Sequence, residues 1–395
     1  VSDLAFKEAA WILRHFLQER EDILQTLTQE KVHLTIMAWN EFTSDVPEHS
    51  KLKPRVFWDR RARGLGGQTV SCGEENLLGY ANDPYAAENL MIHEFAHAVQ
   101  AIAMRELDPT FQKRLDAAYE AAIKLGKWKG TYAGSNSAEY WAEAVQDWFD
   151  DNRENDSLHN HVNTRTELKE YDPALAALCA EVFGEHDWRY KKPEFRNPED
   201  RAHLGDFDPS NAPRFKWRKE PIPDIARVLI QTELGDIELE LDSKRAPNTV
   251  KNFLRYVHEG WFGDGSFFRT VTMANQPEDK VKIQVIQAQA DPSKEDVSFP
   301  PIRIERTRDT GLKHLNGPIP MARSDPDNPQ PRFFYCIDDQ SELDFGGKRN
   351  PDGQGFAAFG KVTKGFRIVK KIHNSEQQQQ NLTPPIRIQR AIRLN

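Results

Sequence analysis

The segment between residues 190 and 225 constrains the fold more than any other, because it interrupts the periodicity on which a single core depends. It lacks an apolar repeat, and charged residues are interspersed with its prolines, which are Pro193, Pro198, Pro209, Pro213, Pro221 and Pro223. Proline-rich spacers are semi-rigid and extended. The sequence therefore predicts two separately packed domains, residues 1–190 and 226–395, held apart by a linker at 191–225.

The composition is that of a globular chain. Hydrophobic residues make up 38% and charged residues 29% of the 395 residues, and no apolar run approaches the ~18 residues of a membrane span. The net charge of −8 argues against a general nucleic-acid binder. The chain begins with Val1, and we expect a secreted or periplasmic protein; removal of a signal peptide and trimming of the chain are both left open.

A short motif in the first domain indicates zinc chemistry. His93 and His97 lie four residues apart, with Glu94 directly after the first of them. Apolar residues at helical spacing predict a helix here, with Asp83 as its cap and Pro84 at its first position. A helix places both imidazoles on one face beside a carboxylate, which is the pattern of zinc hydrolases.

A catalytic zinc needs a third protein ligand and an open position for water. A second predicted helix offers one, since Glu139 and Glu143 share a face that differs from the face of its buried tryptophans. An alternative for Glu139 is a capping box, in which Asn136 or a neighbouring serine caps the helix and Glu139 bonds back to the cap. The sequence leaves both roles open.

Together these residues resemble the lethal-factor-type zinc peptidases, which include the Pro-Pro endopeptidases. In that family HExxH is followed by a tyrosine seven residues before a glutamate, as Tyr132 and Glu139 are here. The roles that the resemblance implies are Zn²⁺ binding by His93, His97 and Glu139, general base for Glu94, oxyanion donor for Tyr132, and orientation of a histidine for Glu143. Zinc lowers the pKa of bound water toward ~7, and a carboxylate base can then accept its proton.

Other residues near this motif lead to weaker expectations. The glycines that follow Arg61 predict a mobile loop rather than a phosphate cradle, and His159 is expected in a solvated loop. The three cysteines, Cys72, Cys179 and Cys336, are too few for a disulfide scaffold. Cys72 precedes the predicted zinc helix, so its thiolate is one candidate for blocking the zinc, while a buried thiol is the ordinary outcome.

The second domain begins with a predicted hairpin, because residues 228–232 and 236–241 flank a turn at Gly235. An amphipathic helix is predicted next, with Val250, Phe253, Leu254 and Val257 on one face. Further motifs follow at residues 266–269, 285–291, 317–322, 332–335 and 356–362. In that order they resemble a cyclophilin, which implies a closed eight-stranded β-barrel with peptidyl-prolyl isomerase activity.

The resemblance to cyclophilins also implies roles for individual residues. Arg269 matches the catalytic arginine, whose guanidinium weakens the partial double bond of the prolyl amide, and Gln287, Phe334 and Met321 match positions that contact substrate. The departures are Gln284 for a pocket Phe, Arg323 for Asn, Arg332 for Gln, Leu343 near a Trp and Phe356 near a His. A proline pocket would thus lose one wall, and the arginines would favour acidic ligands. Residues 377–380, four glutamines, predict a short surface tract.

These inferences predict an α+β protein, with a mainly helical zincin-type metallopeptidase domain followed by a closed eight-stranded cyclophilin-like barrel. The predicted function is a Zn²⁺-dependent endopeptidase that acts on proteins or peptides, including proline-containing ones, with a barrel that binds Xaa-Pro segments and captures them for the zinc cleft. Isomerase turnover by the barrel is left open. The alternative is a peptidyl-prolyl isomerase, foldase or peptide-binding protein with a non-catalytic zinc domain. Neither function involves nucleic acid or a membrane span.

Overall fold

The computed structural model describes residues 1–156, 158–292, 299–315, 317–327 and 329–395. The chain divides into two compact units, Val1–Leu52 with Trp58–Arg218 and Lys53–Phe57 with Lys219–Asn395. Each unit buries its own hydrophobic core. Among the described residues, no helix has both the length and the apolar composition that are needed to cross a bilayer.

Helices dominate the first 218 residues. They are α1 (Asp3–Phe16), α2 (Glu21–Gln29), α3 (Arg55–Arg61), α4 (Glu74–Leu78), α5 (Leu90–Ala98), α6 (Met104–Leu107), α7 (Phe111–Lys124), α8 (Ser137–Trp148), α9 (Arg165–Tyr171) and α10 (Pro173–Phe183). Helix α5 continues into a π-helical stretch, Val99–Ala103. The two predicted helices that carry the zinc motif correspond to α5 and α8.

A small sheet completes the first unit. Its strands are β1 (His33–Met37), β2 (Gly64–Leu65) and β3 (Thr69–Gly73), in the order β1, β3, β2. Strand β1 runs parallel to β3 and β2 runs antiparallel to it. Strand β2 is an edge strand whose two residues line the cleft described below, and it includes residues that were predicted to form a mobile loop.

Helices α5 and α8 pack against each other through small and aromatic side chains. The indole Nε1 of Trp141 on α8 donates a hydrogen bond to the Ala96 carbonyl on α5 (2.9 Å). Trp141, Ala96 and Trp148 are fully buried. Because the apolar faces meet here, the polar residues of both helices are left to face a common cleft.

The predicted linker at 191–225 differs from the structure over its first part. Residues up to Arg218 belong to the first unit, and Leu204 and Phe215 are buried there. Arg196 forms a buried ion pair with Glu8 on α1 (2.6 Å). Single buried residues and an ion pair, without a repeated pattern, hold this segment in the first unit. Hydrophobic periodicity therefore does not predict its packing.

The second unit is a barrel with three helices among its described residues. Its strands are β4 (Ile225–Thr232), β5 (Gly235–Asp242), β6 (Ser266–Val271), β7 (Val285–Gln289), β8 (Pro318–Arg323), β9 (Pro329–Cys336), β10 (Ala358–Lys364), β11 (Gln377–Gln378) and β12 (Asn381–Arg393). The helices are α11 (Pro247–His258), α12 (Thr307–Thr310) and α13 (Phe366–His373).

The barrel closes because β12 pairs with both β4 and β6. The order around it is β12, β4, β5, β10, β8, β9, β7, β6, with the short β11 paired to β12. This confirms the predicted closed eight-stranded barrel. The predicted hairpin is confirmed as β4 and β5, with Thr232 opposite Gly235. The predicted amphipathic helix is α11, whose Val250, Phe253 and Leu254 lie in the barrel core.

Candidate functional site

The first unit contains a cleft of about 420 Å³. Helix α5 enters it with His93 and His97 one turn apart on the same face. Asn89 caps this helix by accepting a hydrogen bond from the Ile92 amide (3.1 Å). The prediction of a start at Asp83 is therefore corrected: Asp83 instead accepts from the Tyr85 amide (2.9 Å) in a preceding turn.

Three potential ligand atoms in the cleft form a nearly equilateral triangle. His93 Nε2 lies 3.2 Å from His97 Nε2 and 3.2 Å from Glu139 Oε2, and the third side, from His97 Nε2 to Glu139 Oε2, is 3.4 Å. A tetrahedral zinc with bonds of about 2.0–2.1 Å separates its ligands by about 3.3–3.4 Å. The three atoms therefore fit a single tetrahedral cation.

The protonation of His93 can be read from its neighbours. Its Nδ1 lies 2.7 Å from Gln146 Oε1, and the amide nitrogen of Gln146 faces two acceptors, Glu88 Oε2 (3.2 Å) and the Asp151 carbonyl (3.4 Å). Since only the NH₂ group can donate to those acceptors, the amide oxygen must face His93. His93 therefore carries a proton on Nδ1, and Nε2 is the ring atom that faces the triangle and would bind a metal.

Gln146 takes the orienting role that was predicted for Glu143. Glu143 Oε1 is 3.6 Å from His93 Nδ1, which is too far for a hydrogen bond. Its other oxygen accepts from Asn152 Nδ2 (3.2 Å) and lies 3.2 Å from His159 Nε2. His159 is thus buried beside Glu143 rather than solvated. The sequence analysis did not assign Gln146. Its position three residues after Glu143 places it on the same helix face, and this spacing is the signal that could have identified it.

The alternative capping box at Glu139 is only half present. The Asn136 side chain caps α8 and accepts from the Ala138 and Glu139 amides (both 3.0 Å). The Glu139 carboxylate does not return to the cap; it faces both histidines and accepts from the Tyr132 hydroxyl through Oε1 (3.0 Å). Burial opposes ionisation of Glu139, but hydrogen bonds and charge from His93 and His97 lower its pKa.

Glu94 lies beside the triangle, with a carboxylate oxygen within 4.8 Å of a ring nitrogen of each histidine. Glu139 is the better third ligand because its Oε2 is only 3.2–3.4 Å from both Nε2 atoms. Burial raises the pKa of Glu94, while the charges of His93 and His97 act in the opposite direction. A carboxyl group whose pKa is raised above its usual value is a stronger base than an exposed carboxylate, which suits general-base chemistry.

At Gly64 and Gly66 the backbone approaches Glu94 and His97 so closely that only glycine fits at these two positions. A Cβ atom on Gly64 would lie 3.0 Å from Glu94 Oε1, and one on Gly66 would lie 2.7 Å from the Cβ of His97. The glycines after Arg61 thus allow close packing, and Gly64 belongs to a strand rather than to a loop. Gly64, Leu65 and Gly66 line the cleft together with His93 and His97.

Arg61 is a further cleft residue that sequence analysis did not assign. Its Nη2 lies 3.4 Å from the Tyr132 hydroxyl, which places a positive charge beside the predicted oxyanion donor. Burial raises the pKa of Tyr132, so this phenol remains a donor at neutral pH. Cys72 is fully buried, and burial raises the pKa of its thiol. That environment supports the buried-thiol outcome, not a blocking thiolate.

The barrel carries a second group of candidate residues, on neighbouring strands. Arg269 on β6 lies opposite Gln287 on β7, and Gln287 lies opposite Phe334 on β9. Arg269 donates from Nη1 to Gln287 Oε1 (3.1 Å). Burial lowers the pKa of Arg269, which nevertheless stays charged because arginine titrates far above neutrality.

Met321 does not join this row. It is 2% exposed and packs in the barrel core with Phe333, its partner across β9. Side chains alternate between the two faces of a strand, so the neighbouring Ala322 lies with Phe334 instead. The predicted peptide contact at Met321 is therefore corrected, and Ala322 takes its place beside the candidate site.

An apolar cluster lies around Phe334. Its members are Val271, Ile283, Val285, Ala322, Phe334, Cys336 and Leu343, with Phe356 packed against them. The rings of Phe334 and Phe356 meet edge to face, with centroids 5.2 Å apart. Gln284 is only half-buried and lies between two members of the cluster. The aromatic wall expected from a phenylalanine at position 284 is therefore absent. Phe356, two residues before the start of β10, packs an aromatic ring against the cluster.

Arg323 is already neutralised. Its guanidinium donates two hydrogen bonds to the Asp352 carboxylate (2.8 and 3.0 Å) and one to the Gly355 carbonyl (2.8 Å). The expectation that this arginine draws acidic ligands is not supported, because its charge is compensated within the chain.

Comparisons with known proteins agree with the barrel. Residues 227–393 match the family model "Cyclophilin type peptidyl-prolyl cis-trans isomerase/CLD". Peptidyl-prolyl cis-trans isomerase A of Dickeya dadantii is 36% identical over 158 residues, which is 40% of this chain and 75% of that protein. Peptidyl-prolyl cis-trans isomerase cyp18 of Streptomyces antibioticus is 34% identical over 149 residues, 38% of this chain and 83% of that protein.

A solved structure of a cyclophilin-type peptidyl-prolyl cis-trans isomerase from Cryptosporidium parvum matches with 19% sequence identity and a TM-score of 0.36. The match covers 43% of this chain and 98% of that chain. The assignment to a family rests on the sequence matches and not on this structure. The closed barrel defines the class of the second unit. Through residues 227–393 the chain belongs to the cyclophilin-type peptidyl-prolyl cis-trans isomerase family. These matches support the isomerase alternative better than the endopeptidase function predicted first.

Proposed function

We propose that the C-terminal unit binds Xaa-Pro segments of polypeptides and catalyses their cis-trans isomerisation. The observation that carries this proposal is the row of Arg269, Gln287 and Phe334 on adjacent strands, in a chain of the cyclophilin-type family. The apolar cluster around Phe334 would hold the proline ring. The Arg269 guanidinium would donate to the prolyl nitrogen, withdraw its lone pair from the amide and so lower the ~18–20 kcal/mol barrier.

The test compares Arg269→Ala and Arg269→Lys with the wild type on an Ala-Pro tetrapeptide, by exchange NMR. We expect Arg269→Ala to lose at least tenfold in kcat/KM, because it removes the donor. Arg269→Lys keeps the charge but not the fork of donors, and should recover only part of the loss. Arg367→Ala, an exposed arginine on α13, is the matched control. Wild-type activity in Arg269→Ala would refute the assignment.

We propose a second activity for the cleft of the first unit, Zn²⁺-dependent hydrolysis of peptide bonds in a protein substrate. The observation that favours it is the triangle of His93 Nε2, His97 Nε2 and Glu139 Oε2, whose sides of 3.2–3.4 Å suit one tetrahedral ion. When bound, zinc would supply Lewis acidity toward water and the scissile carbonyl. Glu94 would accept a proton, and Tyr132 would donate to the carbonyl oxygen.

The metal assignment is tested first. Purified protein is expected to hold about one zinc per chain, and Glu139→Ala is expected to lose most of it, because two ligands make a weak site. Glu120→Ala, an exposed glutamate on α7, should keep its zinc. Elemental analysis decides between these outcomes, and a wild-type zinc content in Glu139→Ala would exclude Glu139 as a ligand.

The chemistry is tested separately from metal binding. Glu94→Gln keeps the shape of the side chain and should keep the zinc, but cleavage of a broad peptide library should slow by about 10² to 10⁴. Mass spectrometry of the library then also reveals whether cleaved peptides contain proline. Equal cleavage by the variant and the wild type would leave the first unit as a binding or structural domain.

A further inference from the structure

The four glutamines at residues 377–380 do not form a simple surface tract. Gln378 and Gln379 are exposed, but Gln380 turns back onto Arg269. Its Oε1 accepts from Arg269 Nε (3.0 Å) and from Nη2 (2.5 Å). Gln287 accepts from Nη1 (3.1 Å). Three of the five guanidinium N–H groups are thus held by two side-chain amides, and two remain for a substrate.

We propose that Gln380 is a positioning residue for isomerisation, which fixes the Arg269 guanidinium while leaving its positive charge uncompensated. The proposal rests on the isomerase function proposed above. A carboxylate at this position would hold the arginine equally well, but it would neutralise the charge that must withdraw electrons from the prolyl nitrogen. A neutral amide separates the two effects, because it contributes geometry without an opposing charge.

Gln380 is itself held on several sides. Its Nε2 donates to the Asn275 carbonyl (3.2 Å), which assigns Oε1 to Arg269. Its backbone carbonyl accepts from the Thr270 amide (2.9 Å), next to Arg269 on β6. Asn275 donates through Nδ2 to the Thr270 carbonyl (3.0 Å) and to Gln377 Oε1. The glutamine tract and the loop after β6 are therefore joined around Arg269.

The charges near Arg269 are consistent with this role. Among the described residues Arg269 has side-chain hydrogen bonds only to Gln287 and Gln380, and no ion pair. The acidic residue that acts on it electrostatically is Asp279. Asp279 is paired with Arg349 at 3.0 Å, so its charge is largely compensated. The two amides, rather than a carboxylate, thus determine where the guanidinium lies.

The experiment compares Gln380→Glu and Gln380→Ala with the wild type on an Ala-Pro tetrapeptide in the full chain. We expect Gln380→Glu to lower kcat about tenfold with little change in KM, because the charge of Arg269 matters most in the transition state. Gln380→Ala should also lower kcat, through loss of position. The matched control is Gln378→Glu, which adds the same charge to the exposed part of the tract and should match the wild type.

A second readout does not depend on activity. Hydrogen exchange of the Arg269 Nε–H, followed by NMR, should be slow in the wild type and in Gln380→Glu, and fast in Gln380→Ala. Wild-type kcat in Gln380→Glu would overturn the charge argument, and unchanged exchange in Gln380→Ala would overturn the positioning argument. If the wild type has no isomerase activity, the proposed function fails, and the exchange measurement still decides whether Gln380 positions Arg269.

Discussion

At the scale of single residues, Gln284 stands where the resemblance to cyclophilins predicts a phenylalanine. The polar side chain interrupts an otherwise apolar cluster in which Ile283, Val285 and Phe334 are buried. Arg323, one of the two arginines among the departures, is compensated by Asp352 and adds no free charge. At Gln284 the apolar cluster thus lacks one expected wall, and Arg323 adds no uncompensated charge beside it.

We therefore predict that Gln284→Phe increases isomerase kcat/KM. Restoring part of an aromatic contact is worth about 1 kcal/mol, or roughly fivefold. The variant is compared with the wild type on an Ala-Pro tetrapeptide. Gln389→Phe, at an exposed position on β12, controls for added surface hydrophobicity. No gain, or a loss, in Gln284→Phe would show that the pocket does not use this wall.

His314 gives the barrel unit a predicted pH dependence. It is fully buried with Nδ1 2.8 Å from Asp344 Oδ1, and burial lowers its pKa below the usual 6.5. As the pH decreases, His314 therefore binds a proton at a higher pH in the unfolded chain than in the folded chain. Its contribution to the free energy of unfolding is fully present above pH 6.5 and is lost as the pH falls further. The free energy of unfolding of the barrel should therefore decrease between pH 8 and pH 5. In His314→Gln the decrease should be smaller.

At the scale of elements, helix α8 brings several polar groups to the cleft of the first unit. Glu139, Glu143 and Gln146 recur along one face at intervals of four and three residues, while Trp141 and Trp148 are buried on another. One helix therefore supplies both Glu139, the third ligand proposed above, and Gln146, whose amide oxygen faces His93 Nδ1. The position of its first turn should control the metal site.

The cap of α8 tests this dependence. Asn136→Ala removes the acceptor for the Ala138 and Glu139 amides and costs about 1 kcal/mol. Fraying of the first turn should displace Glu139 and weaken zinc binding by roughly five- to tenfold in competition with a chelating dye. Ser2→Ala removes the cap of α1 and should leave zinc affinity unchanged. Equal affinities in both variants would mean that the cap does not position Glu139.

At the scale of the whole molecule, two hydrophobic cores lie in two units of the same chain. If zinc is held as proposed, it stabilises only the unit that binds it, by about 2.7 kcal/mol at a free concentration of 100 times Kd. A chelator should therefore lower one calorimetric transition and leave the other, together with isomerase activity, unchanged. Glu139→Ala should not respond. A shift of both transitions would contradict independent folding.

The capture of substrate by the barrel remains a prediction. Chains 1–218 and 219–395, mixed but not joined, are compared with the intact chain on a proline-rich protein and on a short peptide. A tether that gives an effective concentration near ~mM should make the intact chain faster on the long substrate only. Equal rates on the long substrate would show that the barrel does not capture substrate for the cleft, whether or not each unit is active.

Local spacing, together with the family resemblances that the motifs carry, predicted much of this protein. The spacing of four positions from His93 to His97 places both on one face of a helix, and the order of short motifs after the hairpin predicted the closed barrel through its resemblance to cyclophilins. Only the tertiary structure decided which distant groups complete each site. Glu139 and Gln146 reach His93 from 46 and 53 residues away, and Gln380 reaches Arg269 from 111. Periodicity reports on neighbours within a turn or a strand, whereas the packing of separate elements brings these side chains together.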